Sequence, residues 1–418
     1  MKNFELFIFN NTSRSNNYGI GTYIDQLKIV LLRRKIRFTI ISLFSKKSEI
    51  LFVNKNGFNQ IYIPSYELNP FILPEVQEKR YYRNVSFILS ELIENKPSNI
   101  FHLNSMANKT LAKSLKNMFS GRVILTVHYT DWSFNLLGNY ELLKSLLVKK
   151  KTQIKDELHL KTINEIRQDK YMLNNCDHII CIAEHSLNFI KKMYNISDEK
   201  LSLINYGIFD SYRIIRIEDK LKIRQYYNID QNEKIVLYAG RLDEVKGVLF
   251  VIKAIKLLFN QYPNLHLYVA GDGDFKKYID ESFGFWSKIT FVGHLSKKHL
   301  YDFYSIADIG VVSSLHEEFG LVVTEMMMHK LPLIVSDTGG PSEQIDEKIS
   351  GLKVPIKVVD NERILDSEIL SMKIRFYIDN PQIAAEFADN ARISFLEKYE
   401  LSIFEANIIN LYDKICKE

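Results

Sequence analysis

A chain of 418 residues has the length of two ordinary domains, and 46% apolar with 25% charged residues is the balance of a globular protein with a sizeable core. A net charge of +5 is too mild a bias to imply nucleic-acid binding, and no zinc-finger, RNP or helix-turn-helix signature accompanies it. Three cysteines, at 176, 181 and 416, show no metal-ligand spacing and leave an odd count, which points to buried thiols in a reducing compartment.

The opening "MKNFELFIFNN" has an apolar stretch too short for a signal peptide, and its alternation predicts a first strand over 4–10. No apolar run is long enough to span a bilayer, so the expected location is cytoplasmic, with any membrane contact peripheral and at the inner face. A polar, glycine-bearing loop, "NNTSRSNNYGIGTYI", feeds a helix with Ile24, Leu27 and Leu31 on one face and Val30 alongside. Further strands are predicted at 37–43, 99–104, 122–128, 178–184 and 201–207. Two stretches between them concentrate cations: "LLRRKIR" (31–37) and "SLLVKKKTQIK" (145–155). A solvated helix face is the expectation for the second, with anionic lipid or an acidic acceptor as the alternative. A polar connection is expected over 209–233, after which the pattern restarts with strands at 234–240, 265–271, 288–294, 309–314 and 331–337. There Val248, Val251, Ile252, Ile255 and Leu258 mark a helical face.

Apolar strands alternating with amphipathic helices imply parallel sheets covered on both sides, and two such series imply two doubly wound α/β domains. Ligands of such sheets bind beyond the carboxyl ends of the strands. The residues just after each predicted strand therefore carry the interest. His128 follows one strand, and Arg241 and Lys246 follow another within "GRLDEVKG". A guanidinium and an ammonium converging on one point suit a diphosphate, although exposed cations flanking Asp243 and Glu244 would look the same. Gly19 and Gly21 allow close backbone approach to a ligand ahead of a helix N-terminus, or simply a flexible turn. After 309–314 comes "HEEFGLVVTEMMMHK" (316–330). On one continuous helix Glu317 and Glu325 would lie on partly different faces; with a helix starting near Gly320 both can face one crevice. A glutamate in a first turn also merely offsets the helix dipole.

In chain order, "YAGRLDEVKG", "VAGDGD", "FVGHLS", "EEFGLVVTE" and "SDTGGPSEQI" resemble the motifs of the retaining GT-B glycosyltransferases of family 4, and the resemblance spans essentially the full chain. The family's E-x7-E frame is matched by Glu317 and Glu325, while "YGIGTYI", "TVH" and "INYGI" stand where its glycine loop, strand-end histidine and Pro-Asn-Gly turn stand. The resemblance implies two Rossmann-like domains facing a central cleft. It divides the chain into an acceptor domain (1–210), a donor domain (211–395) and a C-terminal helix (396–418) crossing back to the first domain. It implies a nucleotide-sugar donor, a UDP-sugar by family preference, with no cofactor and no metal ion. Arg241 and Lys246 would bind the diphosphate, Glu325 the ribose and Glu317 the donor sugar. Backbone at Gly240, Phe319, Gly320 and Leu321 would hold sugar or phosphate oxygens, Val292 and Gly293 would lie near the base, and Gly19 and Gly21 would close over the phosphates. His128 would lie near the reacting centre, and with Arg241, Lys246 and Glu317 completes the expected catalytic set.

In a retaining glycosidase two carboxylates about 5–5.5 Å apart include a nucleophile. The resemblance instead makes both glutamates donor-binding groups, with the departing phosphate taking the acceptor's proton. Glu318 stands where the family often has proline or a small residue, and is expected to point to solvent. The methionines after Glu325 are expected in the core, and "GDGD" (271–274) as a turn rather than a metal-binding Asp-x-Asp. His102 is expected as a satisfied buried or cleft histidine. Trp132, Phe134 and Tyr140 would either cover an acceptor or pack in the core. The acceptor stays open between a peptide, a lipid-linked saccharide and a polysaccharide precursor; the glycine loop is similar to that of bacterial transferases thought to modify ribosomally made peptides. An epimerase or a non-catalytic nucleotide-sugar-binding relative is the alternative reading.

Overall fold

The computed structural model describes residues 4–12 and 19–417, and the chain divides into two compact units. Residues 13–18 of the polar loop expected after the first strand lie outside the described residues.

The first unit takes Met1–Trp132, Leu146–Gly207 and Leu401–Glu418. Its strands are β1 (Glu5–Asn11), β2 (Phe38–Ser45), β3 (Leu51–Lys55), β4 (Phe58–Pro64), β5 (Asn99–Leu103), β6 (Arg122–Val127), β7 (His178–Cys181) and β8 (Leu201–Leu203). They form one sheet in the order β3-β4-β2-β1-β5-β6-β7-β8. All neighbours are parallel except β3 with β4. Leu6, Ile8, Ile100 and Leu125 are buried on both-sided strands, and the helix Gly19–Arg33 buries the predicted stripe of Ile24, Leu27, Val30 and Leu31. The chain after β1 runs to β2 on one side, and β5 lies on the other, so the topological switch point falls between β1 and β5. The β3–β4 hairpin was not among the predicted strands; Asn56–Gly57 at its turn, with Gly57 at φ 94°, is the signal that encodes it. The strand predicted over 201–207 ends at Leu203, which leaves Asn205–Gly207 as loop.

The second unit takes Ser133–Ser145 and Ile208–Glu400. Its strands are β9 (Lys234–Ala239), β10 (Leu265–Ala270), β11 (Ile289–Gly293), β12 (Ile309–Val312), β13 (Leu333–Asp337), β14 (Leu352–Val359) and β15 (Glu362–Leu365). Their order is β11-β10-β9-β12-β13-β14-β15, parallel except for the terminal β14–β15 hairpin. That hairpin too was missed. Asp360 and Asn361 both have positive φ, 51° and 68°, the primed turn that matches strand twist. The expected connection over 209–233 instead contains a helix, Ile217–Tyr226, whose Arg224 donates to the carbonyls of Glu233 and Ile306. Val248, Val251, Ile252 and Ile255 are fully buried, as are Met326, Met327 and Met328, so the methionines are core residues.

The C-terminal segment is two helices. Pro381–Lys398 belongs to the second unit and Leu401–Ile415 to the first. The latter buries Phe404, Ile408 and Tyr412. Among the described residues no helix is long and apolar enough to cross a membrane.

Candidate functional site

In the second sheet β9 has β10 on one side and β12 on the other, so its switch point lies between β9 and β12. The loops after these two strands are where a ligand crevice is built. They are locked together by backbone. Leu315 N–H donates to Val245 O at 2.7 Å, and the Ser313 hydroxyl donates to Lys246 O at 3.0 Å. Gly247 (φ 66°) permits this approach, because a Cβ there would lie 2.2 Å from Ser313 O.

This clamp brings Lys246 and Glu317 together in an ion pair, both largely buried, with the Ser314 hydroxyl donating to the same Glu317 oxygen at 3.4 Å. Arg241 lies on the first of the two loops and pairs with Asp243 at 3.0 Å, more exposed. Its carbonyl is held by the Tyr238 hydroxyl at 2.8 Å. Gly240 sits tightly against the β10 end, since a Cβ on Gly271 would fall 1.7 Å from Gly240 O.

The loop 313–320 then leads into the helix Leu321–Met328, with Gly320 (φ 90°) at its N-cap and no side chain capping it. A helix N-terminus of this kind directs its first-turn N–H groups toward the crevice, where they suit an anionic ligand. Behind the loop, Gly340 N–H donates to Glu317 O at 3.0 Å and the Gln344 amide to Phe319 O at 2.5 Å. Phe319 is buried edge-on against Tyr399. Glu325 lies one turn into the helix, as a start near Gly320 required. It accepts from the Tyr304 hydroxyl at 3.1 Å, and burial holds its carboxyl above the usual range against the nearby Lys297. Glu317 and Glu325 thus have separate partners. Val292 and Gly293 end β11, and Gly293 (φ 71°) has open space where a Cβ would stand. The "GDGD" stretch is a turn, with Asp272 O accepting from Leu242 N–H at 2.9 Å.

Glu318 departs from expectation. It is buried rather than solvated, accepting from the Ser133 hydroxyl at 3.0 Å, with His316 Nε2 at 3.4 Å. The cause is the segment 133–145, which packs with this unit. Nothing in the sequence of residues 316–330 could signal a partner some 180 positions away.

In the first unit, Gly19 and Gly21 form the first turn of their helix rather than a loop. His128 follows β6 and is buried with both ring nitrogens engaged. The Asn104 amide is oriented by donating to Phe9 O at 3.1 Å, so its oxygen accepts from His128 Nε2–H at 3.0 Å. The Tyr206 hydroxyl must then donate to Nδ1, and Tyr23 meets the ring edge-on at 4.8 Å. No local signal in the sequence marks Tyr206, in its turn, or Tyr23, in "YGIGTYI", as a partner of His128. His102 is buried and satisfied by Thr126 and Tyr412, as expected. Trp132 stacks on Phe189 in the core, while Phe134 and Tyr140 are partly exposed. Among the described residues no three His, Cys, Asp or Glu side chains are grouped to hold a metal.

Burial pushes His102 and His128 down to about 3, and His329 to about 4. In the unfolded chain each protonates near pH 6.5. Between these values the unfolded state binds more protons, so stability rises with pH across that window. Melting temperature should therefore fall on acidification below about pH 6.5, each histidine contributing up to about 1.4 kcal/mol per pH unit. A melting temperature flat from pH 7 to 5 would contradict the neutral, buried network.

Two family descriptions match the chain: Glycosyltransferase Family 4 over residues 18–211 and Glycosyl transferases group 1 over residues 219–393. An uncharacterised glycosyltransferase of Methanocaldococcus jannaschii is 28% identical over 246 residues, 57% of this chain and 60% of that protein. The chain spans 43–63% of the length of the first curated relatives it matches. The sucrose-phosphate synthase of Thermosynechococcus elongatus superposes with a TM-score of 0.75 at 19% identity, covering 99% of both chains. The Anabaena protein HepE, solved with UDP-glucose, superposes with a TM-score of 0.70 at 15% identity, covering 98% of this chain and 99% of its own.

Proposed function

Because the chain belongs to the GT4-type GT-B glycosyltransferases, we propose that it moves a sugar from a UDP-sugar to an acceptor hydroxyl, with retention of anomeric configuration and without a metal ion. The observation that carries this reading is the meeting of Lys246 and Glu317 at the switch point of the second sheet, with Arg241 on the same loop as Lys246. The bond from the anomeric carbon to the diphosphate oxygen breaks, and negative charge grows on the departing phosphate. Arg241 and Lys246 are cations already held in place for that charge, which is the role a divalent ion would otherwise fill. Glu317 orients the donor sugar, and Glu325 accepts from the ribose hydroxyls. The acceptor oxygen enters from the face the diphosphate leaves, and a phosphate oxygen takes its proton. In this reading His128 orders the acceptor side rather than acting as base, which its hydrogen bonds through both ring nitrogens support.

A screen by thermal shift and calorimetry against UDP-, GDP-, ADP- and TDP-sugars in EDTA tests the reading. A donor at a hundred times its dissociation constant raises stability by about 2.7 kcal/mol. A UDP-sugar hit that survives chelation, with slow release of UDP and a sugar of unchanged anomeric configuration, is the expected result. Binding restored only by Mg²⁺ would overturn metal independence, and silence across the panel would overturn the donor assignment.

A further inference from the structure

We propose that Glu318 is a positioning residue, which clamps residues 133–139 against the loop 313–320 and thereby fixes where Glu317 presents its carboxylate. The proposal rests on the reading of Glu317 as a contact to the donor sugar.

Residues 133–145 belong to the second unit, although the rest of that unit's chain begins at Ile208. Side chains from both this strap and the rest of the unit fasten it. Ser133 donates to Glu318; Arg363 donates to Leu137 O at 3.0 Å and to the Thr338 hydroxyl at 2.9 Å; Asn139 donates to Asn361 O at 3.0 Å. Phe134 meets His316 edge-on. Gly138 (φ 71°) makes the seat close: a Cβ there would lie 2.4 Å from His316 Nδ1 and 2.6 Å from Arg363 Nη1. The strap is thus fitted to the loop and to the β14–β15 turn, with Leu137 packed on the core of the unit.

A carboxylate is costly to bury unless it is hydrogen-bonded, so one retained at this position needs partners there. Its partners include a serine of the strap and a histidine of its own loop. On the other side, the loop is held through main-chain oxygens of Glu317 and Phe319 by Gly340 and Gln344. On the strap side the fastening runs through a loop side chain, and that side chain belongs to the residue adjoining Glu317. Loss of the Glu318 anchor frees the strap side of a loop that stays tied to Val245, Lys246, Gly340 and Gln344, and the added freedom is felt first at the adjoining Glu317. Nucleotide contacts at Glu325 and at the β11 end lie on other elements and are left in place.

The test compares Glu318→Ala, Glu318→Gln and Ser133→Ala with the unaltered chain by amide hydrogen exchange and by calorimetry with UDP and UDP-glucose. In Glu318→Ala, exchange over 133–139 should rise about tenfold, UDP affinity should hold within about twofold, and UDP-glucose affinity should fall about tenfold. Ser133→Ala should move the same quantities less, and Glu318→Gln, which keeps an oxygen for Ser133, should recover most of the loss. Unchanged exchange over 133–139 would overturn the clamp. Equal losses for UDP and UDP-glucose would show a structural role only and overturn the positioning. If the unaltered chain binds neither probe, the donor reading fails and the exchange data alone decide the clamp. If Glu318→Ala does not fold, Ser133→Ala, which removes a single hydroxyl, carries the same comparison.

Discussion

Lys246→Ala should lower turnover by about 10²–10³-fold, or roughly 2.7–4 kcal/mol of transition-state stabilisation, the range found when one preorganised electrostatic group is removed. The size follows from where the ammonium stands. It is largely buried, its backbone is clamped to the β12 loop through the carbonyls of Val245 and Lys246, and its charge is already oriented by Glu317. Little reorganisation is needed when charge develops on the leaving diphosphate. The loss should appear in kcat more than in KM, since the interaction strengthens as the bond breaks. Lys246→Arg should recover only part of it, because a planar guanidinium does not occupy the place of a compact ammonium. Arg241→Ala should act in the same sense but less, because Arg241 is more exposed and its pairing with Asp243 is better screened. Steady-state rates of UDP-sugar turnover check both, and near-normal rates in both variants would sink the assignment of the cations.

Glu325→Ala should weaken UDP binding about 30- to 1,000-fold. Two hydrogen bonds from ribose hydroxyls to one carboxylate contribute roughly 2–4 kcal/mol together, and each 1.4 kcal/mol is a factor of ten. The stability of the unliganded chain should move the other way. Burial raises the carboxyl of Glu325 above its ordinary value, with Tyr304 and Lys297 offsetting that only in part. A raised carboxyl pKa means that the folded state holds a proton the unfolded state has released, so stability is lost as pH rises from about 4.5 through the folded pKa. Near neutral pH the buried carboxyl is therefore a net cost of folding. Glu325→Gln should melt at a higher temperature than the unaltered chain at pH 7, with the difference shrinking as pH falls toward about 4.5. A neutral or lower melting temperature at pH 7, together with unaltered UDP affinity in Glu325→Ala, would remove Glu325 from the ligand-binding role. Gain of stability with loss of binding is the pattern of a group kept strained for its ligand.

What was legible in the sequence was local. The alternation of apolar strands with helical stripes reports burial one element at a time. Ile24, Leu27 and Leu31, or Val248, Val251 and Ile255, are buried because their own helix turns them inward. The same local reading placed the helix start near Gly320, and so put Glu317 in a loop and Glu325 on a helix, because a glycine with positive φ is a break that needs no distant partner. The strands lost were the two hairpins that close the sheets, with their own turn signals, Asn56–Gly57 and Asp360–Asn361; their outermost strands, β3 and β15, are short and carry weak hydrophobic patterning.

Tertiary structure decided the meetings. Lys246 and Glu317 are 71 residues apart and pair because β9 and β12 are neighbours at the switch point, a fact of strand order that no window of sequence contains. His128 is a candidate by position alone, but Asn104 and Tyr206, from two other strand ends, fix its tautomer and occupy both its nitrogens. Glu318 reads as a solvent-facing charge beside another charge, and only the return of residues 133–139 to its own unit gives it a buried partner. Periodicity records how a side chain sits relative to its own element. Which two elements share a hydrogen bond depends on chain crossings and sheet order, and for this protein that is where the chemistry of the site was set.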